Sequence, residues 1–185
     1  ECAWGRYKDT EGDGIPWRTV IGNQNPAAPY FTRGTGHDEY GNYSEDPQNW
    51  SEMIQRIKRK LQNSCEYLPG PILREKAGAR IGVIAMGSTD PAIIEGQDQL
   101  EEAGLAVDYL RIRALPVCSV VREFLENHDR VYVLELNRDG QLYGILIQEL
   151  HDYSPKLISI SEVDGLPMTA IWVKQQILAK EQQNG

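Results

Sequence analysis

The sequence predicts an α/β protein: a three-layer sandwich built on a mainly parallel sheet and preceded by an extended N-terminal segment. Three observations lead there. From Ala79 onward short apolar runs alternate with stripes at helical spacing. Turn-forming Gly, Pro, Asn and Asp separate them, whereas residues 1–49 carry many such residues and almost no sustained period. Strands that alternate with helices imply a parallel sheet covered on both faces, with right-handed crossovers.

Residues 1–49 therefore read as looped or extended backbone, and ordered loops of that length are uncommon unless functional. Trp50, Met53, Ile54, Ile57 and Leu61 then fall on one face of a helix, opposite Arg56, Lys58, Arg59 and Lys60. Such a basic run faces either an anionic partner or solvent, and in an acidic protein the solvated face is the commoner outcome. Tyr67-Leu68-Pro69-Gly70-Pro71 ends the helix in a connector. Ile81 to Met86 is a short buried strand, after which Asp90 is expected as N-cap and Pro91 as first helical residue of a helix that stops at Gly104. Val107 to Ile112 is the next strand. Pro116 is expected to open a helix whose Val117, Val120, Val121, Phe124 and Leu125 form a core-facing stripe. Val131 to Leu136, a helix from Gln141 to Leu150, a strand through Leu157 to Ile160 and a last helix after Pro167 complete the pattern.

The chain has 185 residues and a net charge of −8, enough length for a real core and too acidic a balance for a nucleic-acid or anionic-membrane partner. No apolar run approaches the roughly 20 residues that cross a bilayer, and the N-terminus has no signal-peptide pattern, so the expected location is cytoplasmic. The first residue is Glu, and Trp4-Gly5-Arg6-Tyr7 reads like the interior of a longer protein. Cys2, Cys65 and Cys118 lie far apart with no C-x-x-C pair, which points to free thiols and away from a cluster or structural zinc held by this chain alone.

Chemistry concentrates in Phe31 to Gly41. Gly34, Gly36 and Gly41 permit unusual backbone angles, while Arg33, His37, Asp38 and Glu39 can bind a polar ligand or move protons. From the residues alone this is either a charged surface loop or a ligand contact. Loops at the carboxyl ends of the strands are the other candidates. Gly87-Ser88-Thr89-Asp90 either cradles an anion or is a plain helix cap; Glu135 to Gln141 is either a capped turn or a contact surface for another domain; Ser161 to Pro167 is a turn. Two further motifs fail. Asp9, Glu11, Asp13 and Gly14 imitate a calcium loop, but Pro16 and Val20 stand where that loop continues and where it needs a Glu. Gly12-Asp13-Gly14 echoes a magnesium-diphosphate motif but opens no helix, and Asn42 stands unpaired.

Four ordered stretches nevertheless point to one family: Gly12-Asp13-Gly14-Ile15-Pro16-Trp17-Arg18-Thr19, Thr32 to Tyr40, Gly87-Ser88-Thr89-Asp90-Pro91 and Glu135 to Leu142, with Asp164 to Ala170 fitting the same pattern. The chain resembles the C-terminal part of the alpha subunit of 2-oxoacid:ferredoxin oxidoreductases, of the 2-oxoglutarate type. The resemblance implies a transketolase C-terminal-like domain over residues 79–185, the second core domain of the family. Residues 1–78 become a wrapping segment with an active-site loop and one amphipathic helix. It implies oxidative decarboxylation of a 2-oxoacid to an acyl-CoA, with electrons passed to ferredoxin. It implies thiamine diphosphate, magnesium and iron-sulfur clusters in the complete enzyme, none of them bound by this chain. The partners it implies are the rest of the alpha subunit, the beta subunit, ferredoxin and coenzyme A. The substrate-binding residues expected are Arg33, His37 and Asp38, with Thr35, Gly36 and Glu39 as loop support. Asn137 and Gln141 are expected at a domain or subunit contact. No catalytic residue and no metal ligand is assigned to this chain, which alone is expected to be inert. The alternative is a non-catalytic α/β binding or assembly module.

Overall fold

The computed structural model describes residues 4–184 and divides into two compact units, Glu1–Leu68 and Pro69–Gly185. In the second unit, β1 (Ile72–Arg74), β2 (Ile81–Met86), β3 (Val107–Ile112), β4 (Arg130–Glu135) and β5 (Leu157–Ser161) form one sheet in the order β1-β3-β2-β4-β5. The four strands β3, β2, β4 and β5 pair in parallel, and β1 adds an antiparallel edge against β3.

Alternation along the strands produces the layers. On β2, Ile81, Val83 and Ala85 face one core cluster and Ile84 the other; on β4, Tyr132 and Leu134 face the first and Val131 and Val133 the second. The first cluster is covered by Ile93 and Leu100 of α2 (Asp90–Glu102) and by Val173 and Ile177 of α5 (Ala170–Asn184). The second is covered by Val121, Phe124 and Leu125 of α3 (Ser119–Asn127) and by Leu142 and Leu146 of α4 (Gln141–Glu149). Helices thus lie on both faces of the sheet, giving the expected three-layer, mainly parallel α/β fold.

Local details differ from the sequence expectation. Thr89 occupies the N-cap position of α2 while Asp90 is already helical. The Asp90 carboxylate instead accepts from the Tyr109 hydroxyl at 3.0 Å and pairs with Arg111 at 3.0 Å, so tertiary partners displace the capping role. Pro116 does not open α3; the Leu115–Pro116 peptide bond is cis and the helix starts at Ser119. Cys65 and Cys118 each carry a disulfide bond, which corrects the free-thiol reading for both. Cys2 lies outside the described residues. Among the described residues no helix is long and apolar enough to cross a membrane.

The first unit is organised by α1 (Pro47–Asn63), capped by the Asp46 carboxylate on the Gln48 N–H and started by Pro47. Only Met53 of α1 is buried. The segment before it packs on the helix through Gly14. A Cβ there would lie 2.4 Å from the Lys60 nitrogen and 2.6 Å from the Arg56 carbonyl oxygen, and φ is +84°, so glycine alone fits. Arg56 Nη1 donates to Gly14 O and Asn63 Nδ2 to Asp13 O, which fastens the turn further.

Candidate functional site

A cavity of about 190 Å³ lies wholly inside the first unit and takes its walls from three stretches of chain. Tyr7 and Asp9 come from the start, His37, Asp38 and Glu39 from the glycine-rich loop, and Asn49, Glu52, Met53, Arg56 and Arg59 from α1.

The loop is held by its own polar groups. Gly36 O accepts from Ser44 N at 3.2 Å, and a Cβ on Gly36 would sit 2.3 Å from the Ser44 carbonyl oxygen, so the two arms can approach only because residue 36 lacks a side chain. The Asp38 carboxylate accepts from Tyr40 N at 2.9 Å, Asn42 N at 2.8 Å and Asn42 Nδ2 at 3.0 Å. Burial opposes its ionisation, but the Asn42 amide and the surrounding backbone N–H groups outweigh it and hold the carboxyl below its ordinary range. Asp38 is therefore an anion with its acceptors largely committed to the loop. His37 stacks on Tyr7, with ring centroids 3.9 Å apart. Its Nδ1 lies 3.1 Å from Asp38 O; a carbonyl only accepts, so this bond requires the proton on Nδ1 and makes Nε2 the acceptor of the neutral ring. Asn49 Nδ2 donates to His37 O at 2.9 Å, tying the loop to α1. Glu39 O accepts from Tyr7 N at 2.9 Å.

On the helix side, Arg59 pairs with Asp9 at 3.0 Å while Asp9 also accepts from Gly14 N. Burial opposes the charge on Asp9, and Arg59 with the Gly14 N–H overcomes it, so Asp9 too is held below its ordinary range. The cavity thus presents fixed charges of both signs around one imidazole.

Of the expected site residues, His37, Asp38 and Glu39 line the cavity; Arg33 and Thr35 are exposed on the loop and do not. Tyr7 and Asn49, which the sequence did not single out, also line the cavity and contact His37. The loop carries no local pattern that marks either of them.

Asn137 and Gln141 meet elsewhere, at a cavity of about 340 Å³ beside the carboxyl ends of β2 and β4. Strand order reverses between those two strands, the usual place for a ligand crevice in an open parallel sheet. Buried Glu135 dominates the polar side: its carboxylate accepts from Leu142 N at 2.6 Å, Tyr143 N at 3.0 Å and Asn137 Nδ2 at 2.8 Å. Asn137 Oδ1 accepts from Asp139 N and Gln141 N. Glu135 is thus the cap of α4, delivered by the end of the preceding strand.

No protein-family model matches the chain. Among curated proteins it is 30% identical over 168 residues to subunit alpha of 2-oxoacid:ferredoxin oxidoreductase 2 of Aeropyrum pernix, covering 88% of this chain and 25% of that protein. It is 27% identical over 179 residues to the 2-oxoacid:ferredoxin oxidoreductase subunit alpha of Saccharolobus solfataricus, covering 94% of this chain and 27% of that one. The chain is homologous to 2-oxoacid:ferredoxin oxidoreductase alpha subunits. It spans about a quarter of the length of these curated relatives. Among solved structures, the 2-oxoglutarate:ferredoxin oxidoreductase from Magnetococcus marinus, with 2-oxoglutarate, coenzyme A and succinyl-CoA bound, superposes with a TM-score of 0.78 at 25% identity. That match covers 96% of this chain and 30% of the other. A split-gene transketolase, an inactive beta4 tetramer, matches at TM-score 0.50 and 18% identity over 59% of this chain and 40% of its own, a likeness of fold.

Proposed function

We propose that this chain serves within the alpha subunit of a 2-oxoacid:ferredoxin oxidoreductase, an enzyme that oxidatively decarboxylates 2-oxoglutarate to its acyl-CoA and passes electrons to ferredoxin. The observation that carries this reading is the homology to alpha subunits over 88% of the chain. The choice of 2-oxoglutarate is supported by the likeness to the Magnetococcus marinus enzyme, whose structure holds that acid.

In this reading Arg33, exposed on the loop, pairs with a substrate carboxylate through its planar fork of donors. His37, its Nδ1 spent on Asp38 O, offers Nε2 as acceptor for a group near the reacting carbon. Asp38 supports both by fixing the turn from Tyr40 to Asn42 and by lining the same cavity as the imidazole. Thr35, Gly36 and Glu39 hold the loop, and Asn137 with Gln141 meets another domain or subunit.

Gly12-Asp13-Gly14 does not fit a magnesium-diphosphate site. The stretch after Gly12-Asp13-Gly14 is not helical, and the Asp13 carboxylate accepts from Ile15 N at 2.8 Å. Thiamine diphosphate, magnesium and the iron-sulfur clusters are accordingly assigned to the rest of the complete enzyme, with the beta subunit, coenzyme A and ferredoxin as its partners. The test is a ferredoxin-reduction assay on the assembled enzyme containing this chain. Reduction that requires both 2-oxoglutarate and coenzyme A is expected; reduction indifferent to any 2-oxoacid would overturn the assignment.

A further inference from the structure

Residues 6–18 and α1 enclose a second cleft in the first unit, of about 510 Å³, and its chemistry differs from that of the cavity beside His37. Four of its lining residues are cations, Arg6, Arg18, Arg56 and Lys60, and none is acidic, in a chain whose net charge is −8. Among the described residues none of the four forms an ion pair. Arg6 is the sharpest case. Its Nε is buried with no hydrogen-bond partner, while its guanidinium lies over the rings of Tyr7 at 4.9 Å and Tyr30 at 5.2 Å. Ring faces stabilise a guanidinium but leave its in-plane N–H donors unspent. Arg56 donates one N–H to Gly14 O; burial lowers its pKa and the Arg6 charge adds to that, against the pull of Asp9. Crowded cations with donors in reserve are what an anion of several charges stabilises.

The remaining wall is supplied by Tyr7, Ile15, Pro16 and Trp17. Ile15, Pro16 and Trp17 line this cleft and also a neighbouring groove of about 770 Å³ that continues to Tyr67 and Leu68. Trp17 is 65% exposed, and its indole N–H donates to Glu11 at 3.4 Å. One ring thus borders both the cationic cleft and the groove, whose lining also includes Glu11, Asp13 and Lys60. An exposed tryptophan beside unpaired arginines suits a ligand that joins phosphates to an aromatic base.

We propose that this cleft binds a nucleoside polyphosphate, with Arg6, Arg18, Arg56 and Lys60 meeting the phosphates and Trp17 stacking on the base. The site stands independently of the oxidoreductase reading. The test is calorimetric titration of the 185-residue chain, with circular dichroism checking the fold of each variant. ADP should bind, and Arg18→Glu and Lys60→Glu, both at exposed positions, should each weaken it at least about tenfold, the worth of one charge-assisted hydrogen bond. Trp17→Leu should weaken ADP while leaving inorganic pyrophosphate unchanged. Coenzyme A separates the two sources of this chemistry: tighter binding than ADP assigns the Tyr67-Leu68 groove to its tail, and equal binding assigns a free nucleotide. Absence of heat with ADP at about 1 mM, far above a specific site's range, would overturn the proposal. So would ADP affinity indifferent to both charge reversals, or pyrophosphate binding as tight as that of ADP.

Discussion

The two units treat the same kind of sequence pattern in opposite ways. In the second unit the apolar stripes find a face of the sheet: Leu134, Leu110, Leu125 and Leu146 are all completely buried, whereas Val120, expected in the core-facing stripe of α3, is 40% exposed because it falls beside that face and not on it. In the first, α1 is just as amphipathic, yet Trp50, Ile54, Ile57 and Leu61 remain 38–52% exposed and only Met53 is covered. Periodicity therefore specifies an element and its apolar face, but not that the cover lies within the same unit. The first unit depends instead on polar fastening, through Asp9 to Arg59, Gly14 to Arg56 and the Asp38 turn. A fold that stores its stability in one unit leaves the other free to carry charged loops and open clefts.

Substitutions in the two units test that contrast. Leu134→Ala, in a site that cannot collapse, should cost about 2–5 kcal/mol in urea unfolding. A cost below about 1 kcal/mol would show that the sheet core is not where the stability resides. Next in size is the network of Arg130, Tyr132 and Glu181, where Arg130 Nε donates to Glu181 at 2.6 Å. The Arg130 hydrogen bond is the largest influence on Glu181 and, against burial, sets its carboxyl below the ordinary 4.5. A depressed carboxyl contributes stability that is present above the unfolded-state pKa and lost as pH falls through the folded one. Unfolding followed from pH 6 downward should therefore show a loss that begins near 4.5, and Glu181→Gln should remove that part of the slope while costing about 1–2 kcal/mol at neutral pH. Smallest is Ile54→Ala on the exposed face of α1, expected to cost under about 0.5 kcal/mol by the same denaturant measurement. A loss of several kcal/mol there would mean that the stripe is covered after all.

Legibility in the sequence followed the same division. β2 begins and ends where its apolar run does, because a buried parallel strand is apolar on both faces and turn residues bound it; β3 keeps its expected bounds although Asp108 and Arg111 lie half-buried within it. β1 was illegible: Ile72-Leu73-Arg74 is three residues long, lies at the sheet edge and is largely exposed, so burial leaves no period on it. Glu135 read as one polar residue of a loop, whereas its buried carboxylate caps a helix through Leu142 and Tyr143. At the candidate site His37 and Asp38 were legible, since titratable groups among glycines stand out locally. Tyr7 and Asn49 were not, because stacking on His37 and donation to its carbonyl depend on segments brought together only by folding.

We propose that in the assembled enzyme the glycine-rich loop of the first unit selects the substrate, with Arg33 as the residue whose replacement reports on it. Steady-state kinetics of the assembled enzyme with Arg33→Lys should be measured with 2-oxoglutarate and with pyruvate. A lysine keeps the charge but not the bidentate fork, so KM for 2-oxoglutarate should rise by roughly 1.5–3 kcal/mol's worth while KM for pyruvate changes little. Equal losses on both acids, or no change on either, would contradict the account.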